Sequence, residues 1–275
     1  MIRSTLRKMV GPAALGLLAA CGADSTSPDA ISPVEQSVDV ALSTGDAIAF
    51  DVDVLTGDDA AIGASVASAR LIGGGGPLRA ISQNCTYNTG SARYECSVTT
   101  DQGLSITRSF ALFGGGEPQQ SYDALTTDSV RFQSSITGTV VRPNFTRTVQ
   151  HARQATLSGL GGTETQRTFN GTGTGSVTAQ YTGERGSRSY TSTSSDTIAS
   201  VVFPVPRSPE TFPLSGSIVH NVAATQTAER GRTVSRSVSR RVMVTFNGTA
   251  IVPMTVGTLS CTLNLQTHAV SCAQQ

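Results

Sequence analysis

Five cysteines and three histidines are the residues of this 275-residue chain best equipped to cross-link, ligate or catalyse. Four of the cysteines form two pairs with one spacing, Cys85 with Cys96 and Cys261 with Cys272. The flanking text is also alike, Cys85-Thr86-Tyr87-Asn88 and Cys261-Thr262-Leu263-Asn264. Such pairs suit local disulfides or a metal site, but a zinc site calls for CxxC or a histidine partner, and neither is present. His151, His220 and His268 lie far apart in strand-like text, where a histidine on a strand face is the ordinary case and a catalytic or ligand role the exception. Asp51-Val52-Asp53 and Asp58-Asp59 offer oxygens to a hard cation such as calcium, yet without EF-hand spacing or a bidentate glutamate they read as solvated carboxylates. There is no G-x-S-x-G elbow, Walker A loop or HExxH helix, and the glycine runs at Gly73 and Gly114 lack the lysine or helix of a phosphate cradle. The sequence thus offers no catalytic residue, metal set or cofactor motif, and a non-enzymatic protein is expected.

The elements that must carry these side chains are mostly strands. Ser and Thr make up roughly a quarter of the chain, aromatics are 5% and Trp is absent, a composition that fits pleated, half-buried surfaces. Beyond a linker at Gly73 to Pro77, turn signals recur at Asp101-Gln102-Gly103, Gly114 to Pro118, Asn170-Gly171, Glu184-Arg185-Gly186, Glu229-Arg230-Gly231 and Asn247-Gly248. Asn-Gly supplies the two positive φ values of a type I′ turn, so 170–171 and 247–248 are expected at hairpin tips. These asparagines and Asn144 also match the N-glycosylation pattern, but the turn reading accounts for them. Thr-Phe-Asn-Gly-Thr occurs in both 132–172 and 212–249, as a weak internal repeat or as convergence on a good hairpin. Segment 34–76 is mixed. Ile48, Phe50, Val52 and Val54 alternate with Ala49, Asp51 and Asp53 as a strand does, whereas Ser32-Pro33-Val34-Glu35 and the Ala-rich 59–71 are helical signals.

At the N-terminus, Arg3, Arg7 and Lys8 precede the apolar run Met9 to Ala20, which is too short to span a bilayer, and Leu18-Ala19-Ala20-Cys21 closes it. This order of parts resembles a bacterial lipoprotein precursor with its lipobox. The resemblance covers 1–21 only. It implies that 1–20 is removed, that Cys21 is lipidated on its thiol, and that the mature protein is anchored to the cell envelope. Gly22, in place of the aspartate that often marks inner-membrane retention, implies the outer membrane. Residues 21–33 then form a flexible tether of at most about 40 Å. Export places the remaining cysteines where disulfides persist, so both pairs are expected to be bridged. A hairpin with Cys85 opposite Cys96 puts Gly90-Ser91 at a type II′ tip and Tyr87 opposite Tyr94. The second hairpin has Gln266-Thr267 at its tip, without Gly or Asn, and calls for a longer or irregular loop. Each bridge is worth about 3 kcal/mol in the loop-entropy picture.

Removal of the signal takes away three cations including Lys8, the only lysine, leaving 17 arginines against 19 acids, a net −2. The halves differ: Cys21 to Thr139 holds 5 Arg and 14 acids, net −9, and Val140 to Gln275 holds 12 Arg and 5 acids, net +7. Either the halves neutralise each other, or the Arg-rich half faces an anionic envelope partner such as lipid head groups or polysaccharide. Nucleic acid does not fit an exported chain without aromatic-rich basic motifs. Nothing in the sequence sets the oligomeric state. The expected fold is mainly β: an antiparallel meander over 77–275 forming a broad curved sheet or open barrel-like sandwich, with one or two short helices near the mature N-terminus. Two functions fit. One is a non-enzymatic structural or interaction module of the envelope, its Ser/Thr-rich sheet meeting polysaccharide or protein. The other is a carrier enclosing a lipid or apolar ligand. Large apolar residues are sparse between Ser129 and Arg241, which favours the module.

Overall fold

The computed structural model describes residues 85–101, 103–183, 186–206, 211–229 and 233–273, with helical positions between 37 and 55. Cys21, the signal and tether, the paired aspartates, Gly73 and the helical signals at 32–35 and 59–71 lie outside the described residues. Fourteen strands follow one another: β1 (Cys85–Asn88), β2 (Arg93–Cys96), β3 (Thr99–Asp101), β4 (Leu104–Gly114), β5 (Glu117–Gln119), β6 (Ser129–Arg142), β7 (Phe145–Ser158), β8 (Gln166–Gly183), β9 (Gly186–Pro204), β10 (Ser215–Glu229), β11 (Thr233–Thr245), β12 (Ile251–Val256), β13 (Leu259–Asn264) and β14 (Val270–Cys272). They form one antiparallel sheet in chain order, with β3 and β5 as short flaps on β4. β1 and β14 are the two ends of the path, so among the described strands the antiparallel meander that the turn spacing predicts is an open sheet.

One face of this sheet is apolar where it is covered. Tyr87, Tyr94, Phe110, Phe132, Phe169 and Phe203 form a continuous line of ring contacts, with centroids 5.2, 4.8, 6.0, 6.3 and 5.7 Å apart in turn. In a chain without Trp, this line carries much of the large apolar surface, and each ring pair adds about 0.5–1.5 kcal/mol beyond its burial. The cover comes from the N-terminal helical positions. Val40, Ala41, Thr44, Ile48, Val52 and Leu55 are all buried and recur every three or four residues, the spacing of one helix face. This corrects the strand reading of Ile48 and Val52: a short alternation satisfied a period of two, but the longer window from Val40 to Leu55 satisfies the helical period. Gly45 packs where any side chain would strike Val270 on β14, and Arg240 Nε on β11 donates to Ser37 Oγ at 3.3 Å.

Both cysteine pairs are bridged in the expected register, Cys85 opposite Cys96 and Cys261 opposite Cys272. Tyr87 lies opposite Tyr94, edge to face. The first tip departs from the type II′ expectation. Thr89 to Ala92 form a four-residue loop in which Ala92, not Gly90, takes the positive φ of 52°. The cause is Asn88, whose Oδ1 accepts from Gly90 N at 2.9 Å and Ser91 N at 3.4 Å and so widens the turn. The second hairpin repeats the device. Asn264 Oδ1 accepts from Gln266 N at 2.9 Å and Thr267 N at 3.1 Å, and His268 takes φ 58° in a longer loop. The shared Cys-Thr-x-Asn text is therefore one turn built twice, at the two ends of the sheet.

Asn170-Gly171 is not a hairpin tip. It lies inside β8 at a β-bulge, where Asn170 Oδ1 accepts from Ser200 N at 2.8 Å across on β9. The bulge continues through Ser200 (φ 48°) on β9 and Gly216 (φ 96°) on β10, so three neighbouring strands bend along one line. Asn247-Gly248 does lie in a connection, between β11 and β12. The two Thr-Phe-Asn-Gly-Thr stretches thus take different structures.

Candidate functional site

Strands alternate their side chains between faces, so the long hairpins must present two surfaces of different chemistry. The outward surface of β6 to β11 is built from hydroxyls. Register aligns Thr139, Thr148, Thr178, Thr191, Thr225 and Ser237 in a single row across these six strands. All six are exposed. The next row holds Thr137, Gln150, Ser176, Thr193, Ala223 and Ser239. Neighbouring hydroxyls pair, Thr139 Oγ1 with Thr148 Oγ1 at 2.9 Å and Thr225 Oγ1 with Ser237 Oγ at 2.8 Å. From Thr146 to Gln154 on β7, Thr172 to Thr182 on β8 and Ser187 to Thr197 on β9, no outward residue is charged. Water-facing strands ordinarily interleave both signs of charge. A shallow hollow of about 460 Å³ is lined by Thr191 to Thr193 on β9, Ala223 to Thr225 on β10 and Ser237 to Ser239 on β11, residues of both faces.

The inward surface carries the only tight cluster of titratable side chains among the described sheet residues. One row runs Arg108, Ser134, Arg153, Gly173, Asp196 and His220 across β4, β6, β7, β8, β9 and β10. Arg108, Arg153, Asp196 and His220 are all buried. Asp196 Oδ2 accepts from Arg153 Nη2 at 3.0 Å, and Asp196 Oδ1 lies 3.3 Å from His151 Nε2. Arg153 and Asp196 stand two strands apart, roughly 9–10 Å between backbones, and meet only because the residue between them is Gly173. A Cβ there would lie 2.8 Å from Asp196 Cγ. Gly175 does the same for the next row, where a Cβ would lie 2.9 Å from His151 Cδ2 and 3.0 Å from Ser194 Oγ.

Ser194, His151 and Asp196 are therefore neighbours, a residue set that in other geometry does acyl transfer. Here Nε2 of His151 is taken by Asp196, and His151 Cδ2 and Ser194 Oγ both border the space left by Gly175. Nucleophile activation needs the hydroxyl on one ring nitrogen and the carboxylate on the other. The cluster instead ties β7 to β9 over a strand that has no side chains in the way.

Of the residues singled out from sequence, the four cysteines form their bridges, and His151 and His220 are brought to either side of Asp196. His268 lies elsewhere, in the loop before β14, where its backbone sets the turn. The Gly-Thr-Gly-Thr-Gly text from Gly171 to Gly175 escaped attention as a site. Its signal was present, since glycine at every second position of a strand leaves one face bare. Compared with known families, characterised proteins and solved structures, the chain matches none.

Proposed function

We propose that this chain is a lipid-anchored, non-catalytic module of the bacterial cell envelope, held through Cys21, whose outward hydroxyl surface contacts a neutral polysaccharide. The observation that carries the reading is the hydroxyl lattice across β6 to β11, whose outward face is uncharged on β7, β8 and β9. Within each row neighbouring positions are spaced by the strand separation, about 4.8 Å, close to the length of one pyranose unit, and each Thr or Ser both donates and accepts. A neutral glycan meets the hydroxyls of β7, β8 and β9 without desolvating a charge. The carrier alternative requires an apolar cavity. The apolar part of the inward face instead belongs to one buried cluster that holds Val40, Ile48, Val52 and Leu55 together with Phe110, Phe132, Phe169 and Phe203, which favours the module.

Two measurements test the proposal. In cell fractionation with labelled fatty acid, the chain should partition with membranes and take up label, and Cys21→Ser should abolish both; membrane-bound, labelled Cys21→Ser refutes the anchor. In pull-downs on insoluble neutral glycans, the native chain should be retained, and Thr191→Arg with Thr225→Arg should release it with an unchanged circular dichroism spectrum. Equal retention of the double variant removes the hydroxyl surface from the argument.

A further inference from the structure

We infer that the far end of the long hairpins, on the inward face of β7, β8 and β9, docks on an anionic lipid surface. The inference rests on the anchor reading, which brings a bilayer within reach. Phe145 and Tyr181 pair at this end with ring centroids 4.6 Å apart, yet Tyr181 remains 50% exposed. Arginines interleave with these rings. Arg188 lies directly opposite Tyr181, Arg147 follows Phe145 by two residues along β7, and Tyr190 shares a row with Arg147 and Arg236. From the Asp196 row to this end, the inward face of β6 to β11 carries no acid among the described residues.

Aromatic rings beside guanidinium groups match the headgroup level of a bilayer. The rings settle at the apolar boundary while the cations remain with the phosphates. A soluble polyanion would engage the arginines and leave the exposed rings without a role. Reach agrees with this occupant. Ser37 is hydrogen-bonded to Arg240, and from Arg240 to the start of β11 at Thr233 is about 23 Å along the strand. The chain from Cys21 to Ser37 can span up to about 55 Å, so an acyl group on Cys21 can enter the bilayer that the hairpin end touches.

The absence of Trp from the chain makes the test direct. Tyr181→Trp places a single indole at the proposed contact, and Thr178→Trp places one on the outward surface as control. The full chain is mixed with vesicles of phosphatidylcholine alone, or of phosphatidylcholine with phosphatidylglycerol. With the anionic vesicles, emission from position 181 should shift to the blue and be quenched by brominated acyl chains, while position 178 stays unchanged. Each cation near an anionic bilayer is worth about fivefold in partitioning, so adding Arg147→Gln and Arg188→Gln should weaken it by about thirtyfold. Phe145→Trp gives the same readout should Tyr181→Trp fail to fold. An unchanged emission at 181, an equal shift at 178, or an equal shift with soluble dextran sulfate overturns the inference. The emission response is also read on Cys21→Ser, so loss of the anchor and loss of the contact register separately.

Discussion

Replacing Gly173 by Ala should destabilise the sheet through its cross-strand neighbour Asp196. The added Cβ would lie 2.8 Å from Asp196 Cγ and 2.9 Å from Oδ1, so the carboxylate must turn away from Arg153 Nη2, now 3.0 Å from its other oxygen. The two side chains are 3% and 0% exposed, so water cannot replace the lost partner. Breaking a buried pair costs about 3–5 kcal/mol; the backbone preference for Ala over Gly in a strand offsets about 0.5–1 kcal/mol. The net loss is roughly 2–4 kcal/mol, or about 5–15 °C in Tm for a domain of this size. Asp196→Ala alone should cost about 3–5 kcal/mol, because Arg153 stays buried without its carboxylate. In that background, however, the Cβ at 173 enters vacated space, and Gly173→Ala should cost almost nothing. Urea unfolding followed by far-ultraviolet circular dichroism on the four chains of the cycle measures the coupling. If Gly173→Ala costs the same in both backgrounds within about 0.5 kcal/mol, the two positions do not communicate and the account of Gly173 is wrong.

The two disulfide hairpins should behave alike: Cys85→Ser with Cys96→Ser, or Cys261→Ser with Cys272→Ser, should each lose about 3 kcal/mol. Asn88→Ala and Asn264→Ala should each lose about 1 kcal/mol, as both remove an acceptor of two amides; denaturant midpoints check these values. Glu164 should make stability sensitive to acid. Burial raises its pKa, but hydrogen bonds from Arg167 and from the backbone, with the Arg167 charge, outweigh burial and hold it below the usual carboxylate range. Its contribution is therefore complete above the unfolded-state pKa and lost as pH falls through the lowered folded value. Glu164→Gln should flatten the fall in midpoint between neutral and acid pH, and an unchanged slope rejects this assignment.

Much of the meander was legible because hairpin registers are local. The spacing of Cys85 and Cys96 fixes the Tyr87–Tyr94 contact. What escaped depended on neighbours remote in sequence. Asn170-Gly171 carries the strongest turn signal in the chain, yet Ser200 on β9 captures the asparagine and converts the turn into a bulge. The helical positions around Ile48 and Val52 were ambiguous until the sheet showed which face they cover. The Asp196 cluster needed the register of four strands at once, since Arg153, Gly173, Asp196 and His220 have no pattern along the chain. The outward hydroxyls were visible in Thr172, Thr174, Ser176 and Thr178, but their alignment into rows is a property of pairing.

A sheet in which each strand lies beside its predecessor has a consequence for how the chain reaches its folded state. Nearly all pairings join segments adjacent in sequence, so contact order is low for a β protein and loops close early. A polypeptide threaded through a narrow export channel could add one hairpin after another as each emerges, with no wait for a distant partner. Throughout that growth the newest strand would present a bare template to neighbouring molecules. Among the described strands, the edge beyond β13 is taken by the three-residue β14, clasped to it by the Cys261–Cys272 bridge.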